Sequence, residues 1–122
     1  MRSIHLSQGS GRTKVNLVCD RMGDSLVVRI FNENEHIGAV AFGEYDHVRE
    51  RASGSLINRL GHKDDVIALP MAHKIARKTK KPVCVIAGVH LDDITPEEIT
   101  VLTDYYEAMV DKLLARLEAG MA

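Results

Sequence analysis

Three histidine-containing segments carry the side chains of this sequence that are best suited to bind a ligand. They are residues 36–41 (His-Ile-Gly-Ala-Val-Ala), 61–65 (Gly-His-Lys-Asp-Asp) and 87–93 (Ala-Gly-Val-His-Leu-Asp-Asp). Each places a histidine at the boundary between a predicted regular element and a loop, and two of them have paired aspartates close behind. Imidazoles and carboxylates at element ends, beside glycines that let a ligand approach the backbone, indicate a polar binding site.

A metal ion is one ligand that such a set could hold, because imidazole suits zinc, iron or nickel and carboxylates suit harder ions. If a metal is present, the candidate ligands are His36, His62 and His90. None of the spacings is that of a known metal motif. Aspartates at these places also have ordinary uses as helix caps and turn formers, so the metal site is the less favoured interpretation.

An anion site is a second candidate, at residues 9–13 (Gly-Ser-Gly-Arg-Thr). Backbone N–H groups there could form a nest, with the Arg12 guanidinium as counter-charge, although a plain hairpin turn is the simpler interpretation. The sequence has neither a dinucleotide-binding GxGxxG nor a Walker lysine motif, and no serine lies in a nucleophile elbow. Cys19 and Cys84 are flanked by branched apolar residues, which is typical of buried, reduced thiols.

The composition is that of one folded domain over residues 1–122, with 45% hydrophobic and 27% charged residues. A formal net charge of −1 gives no global attraction to nucleic acid or to an anionic membrane. We find no signal peptide and no apolar run of roughly 20 residues, the length that spans a bilayer. We therefore expect a cytoplasmic protein.

Alternating apolar and polar residues predict the strands of the first half. After a short strand at 4–6, three sequential strands at 13–20, 25–31 and 37–42 with short turns predict an antiparallel meander. Residues 44–60 are ambiguous, because 53–57 could be a short strand or part of a loop.

The second half predicts two helices around one strand. Asp64 or Asp65 can cap a helix that reaches about Lys78, although Pro70 favours a regular helix that begins near residue 69. Residues 82–89 are nearly all apolar, which predicts an interior strand covered on both faces. Thr-Pro-Glu-Glu at 95–98 is a capping box that starts a long helix with one apolar stripe, stopped by Gly120. The fold class is α+β: a largely antiparallel sheet, a meander plus an interior strand, packed against two helices.

Five short blocks, in this order along nearly the whole chain, carry a resemblance to a known family. They are 11–13 (Gly-Arg-Thr), 22–28 (Met-Gly-Asp-Ser-Leu-Val-Val), 36–41, 61–65 and 87–95, the last extended by Ile-Thr. The sequence resembles the small D-type accessory proteins of gallate and hydroxyarylic acid decarboxylases, the LpdD-like prenylated-flavin chaperones. One residue departs from the expected pattern: Pro70 lies in the helix that follows the fourth block, where we expect an uninterrupted helix.

The resemblance implies a non-catalytic partner of UbiD-type decarboxylases that transiently binds prenylated flavin mononucleotide and assists its delivery or the maturation of the enzyme. A flavin prenyltransferase is a further candidate partner, and we expect a homo-oligomer. In this interpretation a phosphate contacts Gly11, Arg12 and Lys63, while histidines and aspartates form a polar rim. The candidate cofactor-binding residues are Gly11, Arg12, His36, Gly38, His62, Lys63, Asp64, His90 and Asp92.

Two other functions fit the residues. One is a small metal-dependent enzyme that uses the histidine and aspartate cluster. The other is a purely structural subunit of a decarboxylase, for which the histidines would be dispensable. The identity of the aromatic acid that the partner decarboxylase uses does not follow from this sequence.

Overall fold

The chain forms one six-stranded sheet with two helices, in a computed structural model that describes residues 2–61 and 63–120. The strands are β1 (Ile4–Gln8), β2 (Val15–Met22), β3 (Ser25–Phe31), β4 (Ala39–Asp46), β5 (Arg51–Asn58) and β6 (Val83–Gly88). Their order across the sheet is β1-β2-β3-β6-β4-β5, and all neighbours are antiparallel except β3 and β6. The predicted α+β class with a largely antiparallel sheet is confirmed.

The predicted meander is right for the antiparallel pair of β2 and β3 and wrong for β4. β6 lies between β3 and β4, parallel to the first and antiparallel to the second. The physical reason is the nearly continuous apolar run of β6, which is most favourably placed in the middle of a sheet. The ambiguous stretch that follows β4 contains β5, an edge strand whose side chains are almost all exposed.

The two helices are α1 (Asp65–Thr79) and α2 (Pro96–Gly120). The expectation that α1 begins near residue 69 is wrong, because Pro70 lies inside the helix at its sixth position. Pro70 and Val66 are both exposed, so water can bond the Val66 carbonyl that the proline leaves without an N–H donor. Neither helix of the described chain is long and apolar enough to cross a membrane.

Both helices pack on the same face of the sheet and form one core with it. α1 lies over β4, β5 and β6, so close that a Cβ at Gly43 would overlap the backbone of Ala72, and α2 lies over β1 and β2. The largest fully buried apolar side chains are Val15, Leu17, Leu26, Val28, Ile30, Ile75, Val83, Val85, Met109 and Leu113. The predicted apolar stripe of α2 supplies the last two.

Neither helix of residues 2–61 and 63–120 lies on the opposite face of the sheet. On β6 the residues facing the helices are buried, whereas Cys84 and Ile86 on the other face are only partly buried. The prediction that β6 is covered on both faces is therefore wrong for a single chain. Cys19 faces the helices and is buried, and burial raises the pKa of its thiol to about 11; burial also raises the pKa of the Cys84 thiol.

Candidate functional site

A cavity of about 570 Å³ lies where the chain enters α1, leaves β6 and begins α2. Its walls are mainly apolar, with a few polar groups at one side. The lining residues are Gly61, Lys63, Asp64, Val66, Ile67, Val89, His90, Leu91, Ile94, Ile99, Leu102, Thr103 and Tyr106. An apolar cavity of this size with a small number of polar groups is the usual form of a site for a small organic ligand.

Asp64 joins two of the three segments that form the cavity. It occupies the N-cap position of α1, but its side chain makes no capping hydrogen bond. Instead, Asp64 Oδ1 accepts the backbone N–H of Val89 at 3.1 Å, and Asp64 Oδ2 lies 3.8 Å from His36 Nε2. Since the carboxylate is almost completely buried, it fixes the start of α1 against the segment after β6.

The sequence accommodates this carboxylate with a glycine. A Cβ at Gly38 would overlap the Asp64 carboxyl group, so no larger residue fits there without a shift of Asp64. Gly38 N–H donates to the Ala87 carbonyl at 2.9 Å, and a Cβ at Gly88 would overlap the carbonyl of His36. Residues 36–38 therefore lie directly against the end of β6, which explains the glycines of both histidine segments.

Asn32 is the second buried polar residue at this end of the sheet. Its Nδ2 donates to the His90 carbonyl at 2.7 Å, and its Oδ1 accepts the N–H groups of His90 and Asn34 at 3.3 and 3.1 Å. The side chain thus holds both backbone groups of His90. Sequence patterning treated residues 32–35 only as a polar turn, because the burial of Asn32 depends on a segment 58 residues away.

Arg12 fastens the turn before β2 to the start of α2. Its Nε and one terminal nitrogen bond the Glu98 carboxylate at 2.7 and 3.1 Å, and that terminal nitrogen also donates to the Asp92 carbonyl at 2.6 Å. The Arg12 guanidinium, with the Thr95 backbone N–H second, lowers the pKa of Glu98. The structure thus gives Arg12 two partners within the chain.

The capping box of α2 shares the same glutamate. Thr95 N–H donates to Glu98 Oε1 at 3.0 Å, and Glu98 N–H donates to Thr95 Oγ1 at 3.1 Å, which confirms the predicted helix start. The apolar residues beside this box are not in the core. Ile99 is 51% exposed, and both it and Ile94 line the cavity.

Tyr106 forms part of the cavity wall about two helical turns after the box. Burial, and secondarily the negative charge of Asp64, raises the pKa of its phenol well above the ordinary value. The hydroxyl is therefore neutral over the whole physiological range and can donate as well as accept a hydrogen bond. Tyr106 also lines a neighbouring apolar cavity of about 380 Å³ between α1 and α2.

The predicted site residues fall into three groups. Lys63, Asp64 and His90 line the cavity. His36, Gly38 and Asp92 do not line it but lie next to residues that do: the first two are close to Asp64, and Asp92 Oδ1 lies 2.9 Å from His90 Nε2. Gly11 and Arg12 do not line it, although Arg12 reaches Asp92, and His62 lies outside the described residues. Their roles in binding stay predictions.

Sequence patterning missed the apolar part of the site. Apolar residues in and beside the two predicted helices are expected to pack in the core, yet Val66 is 71% exposed, and it lines the cavity together with Ile67, Ile94 and Ile99. Within residues 2–61 and 63–120, no three His, Cys, Asp or Glu side chains lie close enough to hold a metal ion. The proposed metal set includes His62 and stays a prediction.

The sequence model of the prenylated flavin chaperone LpdD-like domain matches residues 9–118. The chain belongs to this family. Membership supports a chaperone role that is not catalytic and implies both a client protein and an association with prenylated flavin. The resemblance carried by the five sequence blocks is thereby confirmed.

The fold is also found in a solved structure of a yeast protein. The crystal structure of a novel chaperone complex for yeast 20S proteasome assembly contains a chain that aligns with a TM-score of 0.65 at 18% identity. The alignment covers 99% of this chain and 98% of that one. At this identity the likeness concerns the fold alone. No curated protein matches the sequence.

Proposed function

We propose that the protein binds prenylated flavin mononucleotide in the cavity between α1, α2 and the end of β6, and delivers it to a UbiD-type decarboxylase. The cavity itself carries the proposal. Its volume of about 570 Å³ lies within the range of about 300–1,000 Å³ that cofactor and drug-sized ligands occupy. In this proposal the protein is an accessory protein of the cytoplasm and catalyses no step.

The chemistry of the lining supports a flavin. A prenylated isoalloxazine is flat and apolar, with hydrogen-bonding groups along its edge. Val66, Ile67 and Ile99 offer apolar surface for the ring system, and the imidazole of His90 offers a polar group for the edge. Lys63 is the cation of the lining and is the candidate partner of the phosphate.

The exposed rim of the cavity supports transfer to a client. Val66 and Ile99 remain largely exposed, and exposed apolar residues around a cavity are typical of a surface that a second protein covers. A carrier must release its cargo, so we expect intermediate affinity; a micromolar Kd corresponds to about 8 kcal/mol. Coverage of the rim by the decarboxylase would keep the reduced cofactor away from solvent during the exchange.

The binding experiment is an anaerobic titration of the full chain with reduced prenylated flavin mononucleotide, followed by its absorbance and fluorescence. We expect saturable binding. Ile99→Glu places a carboxylate against the ligand and should weaken binding by about tenfold or more, since an unpaired buried charge costs more than the roughly 1.4 kcal/mol of a tenfold change. Val101→Glu is the matched control, because Val101 lies on the same helix but not in the cavity.

A second pair of variants tests the phosphate contact. Lys63→Ala should weaken binding by about tenfold, the effect of losing one charge-assisted hydrogen bond, whereas Lys14→Ala at an exposed position away from the cavity should not. The affinities of Lys63→Ala and the wild type should differ by the same ratio for unmodified flavin mononucleotide, which would show that the lost contact is with the phosphate.

The delivery experiment mixes the loaded protein with apo-decarboxylase and measures carbon dioxide release. We expect faster activation than with free cofactor, and slower activation with Ile99→Glu. Equal activation with and without the protein would overturn delivery even if binding is observed. Absence of binding, together with a decarboxylase that is stabilised all the same, would leave the purely structural subunit as the function.

A further inference from the structure

The sheet face opposite the helices carries two apolar rows that run across neighbouring strands. The register places Val18, Arg29, Ile86, Val40 and Ile57 side by side in one row. The next row contains Val27, Cys84 and Phe42, between Asp20 and Ser55. No element of the described chain lies over these rows: Phe42 is 42% and Ile57 is 74% exposed.

A flat apolar surface of this kind differs from a ligand cavity. It extends over five strands. Asp20, Glu44 and Asp46, which are acidic, and the basic Arg51 lie near its border, whereas Arg29 lies within the first row. Arg29 is stacked on the Phe31 ring at 5.6 Å and lies 3.9 Å from the Glu35 carboxylate. An apolar centre with a polar border is the usual composition of a protein–protein interface.

The accessible surface of the chain indicates how much is left to cover. It amounts to 7337 Å², whereas a compact monomer of this mass exposes about 6,500 Å². The difference of about 800 Å², taken over the whole chain, is comparable to the area that one partner contributes to a standard interface. The strand that runs through the centre of this face, β6, also has the continuous apolar sequence of a strand covered on both sides.

We propose that this face is the interface with a second copy of the same chain, which forms a dimer with its two sheets packed face to face. Charge selects the occupant. The border carries both signs and the chain has a net charge of only −1, so a copy brings the complementary charges without repulsion. A strongly basic or strongly acidic partner would find no electrostatic potential of opposite sign on this face. The two sheets would lie about 10 Å apart, as in β-sandwiches.

The first experiment measures mass by sedimentation velocity of the full chain over a range of micromolar concentrations. We expect twice the 13.5 kDa of one chain at high concentration. Phe42→Glu should raise the dimer dissociation constant by about thirtyfold or more, as loss of a central interface aromatic does. Val48→Glu is the matched control, because Val48 is exposed in the β4–β5 turn, outside the two rows.

The second experiment needs no variant and uses the two native thiols. Cys84 lies in the middle of an apolar row, whereas Cys19 is buried on the helix face of the same sheet. We expect the alkylation of Cys84 to slow as the protein concentration rises through the dimer dissociation constant. Cys19 should stay unreactive at every concentration, which checks that the chain remains folded.

Each contrary result overturns the proposal. A protein that stays monomeric at 100 µM or about that concentration lacks the interface, given that standard interfaces hold at micromolar concentrations or below. A dimer in which Cys84 stays reactive uses another surface, such as the β5 edge. Protection of Cys84 only after addition of a decarboxylase assigns the face to the client instead. None of these outcomes depends on flavin binding, because the face and the cavity share no residue.

Discussion

The cavity and the uncovered sheet face are both apolar surfaces that the core does not use, but they are built in opposite ways. Around the cavity, buried polar side chains hold loops in place: Asp64 bonds the Val89 backbone and Asn32 bonds the His90 backbone. The sheet face is flat and consists of strand residues in regular register, most of them apolar. A concave site with fixed polar groups suits a small molecule, whereas a flat apolar face suits a macromolecule.

Because the two regions are separate, we expect variants of one region to change only the property that depends on that region. Changes in the residues that hold the cavity loops should affect flavin binding and leave the dimer intact. Changes on the sheet face, such as Phe42→Glu, should affect the dimer and leave flavin binding intact. If both kinds of variant changed both properties, the two regions would not be independent.

The largest effect is expected for Gly88→Ala. The new Cβ would overlap the His36 carbonyl, so two backbone segments must move apart. Overpacking of this kind costs about 3 kcal/mol of unfolding free energy, and thermal or urea unfolding would measure it. Gly120→Ala is the control, because a Cβ there meets no other atom within 4 Å. Equal stability of the two variants would show that the contact of residues 36–38 with the end of β6 is not tight.

A smaller effect is expected for Asn32→Ala. The change removes the partner of the His90 N–H and one of the two donors to the His90 carbonyl, which costs about 1–3 kcal/mol. Flavin affinity should fall as well, because His90 lines the cavity, and amide hydrogen exchange at His90 should become faster. Asn34→Ala serves as control, since Asn34 is exposed and gives only one bond to the same carbonyl. A stable variant that still binds flavin would contradict the role of Asn32.

The smallest effect is expected for Glu98→Gln, and it depends on pH. The pKa of Glu98 is lower in the folded chain than its ordinary value of 4.5, mainly because of Arg12. The ionised carboxylate therefore stabilises the fold fully above pH 4.5, and this contribution is lost as the pH falls through the lowered pKa. Thermal unfolding should show a higher melting temperature for the wild type than for Glu98→Gln at pH 7, and the two should converge as the pH falls below 4.5 through the lowered pKa. A difference independent of pH would mean that the capping geometry, not the charge, matters.

Much of the fold was predictable because its signals are local. Alternation of apolar residues gave β2 and β3, the Thr95–Glu98 capping box gave the start of α2, and the apolar run gave β6 as an interior strand. The candidate site was predictable in part. Lys63, Asp64 and His90 line one cavity, whereas Arg12 is bound to a glutamate 86 residues away, a contact that no local pattern contains.

The sequence by itself determined the kinds of element, their approximate bounds and the family, because periodicity, capping and short motifs are properties of neighbouring residues. Only the tertiary structure decided that β6 separates β3 from β4, that Asn32 and Asp64 are buried, and that one sheet face stays uncovered. The physical reason is that strand pairing and the burial of a polar side chain depend on partners far away in the chain. These interactions contribute to the free energy of folding only once the distant partners are in contact.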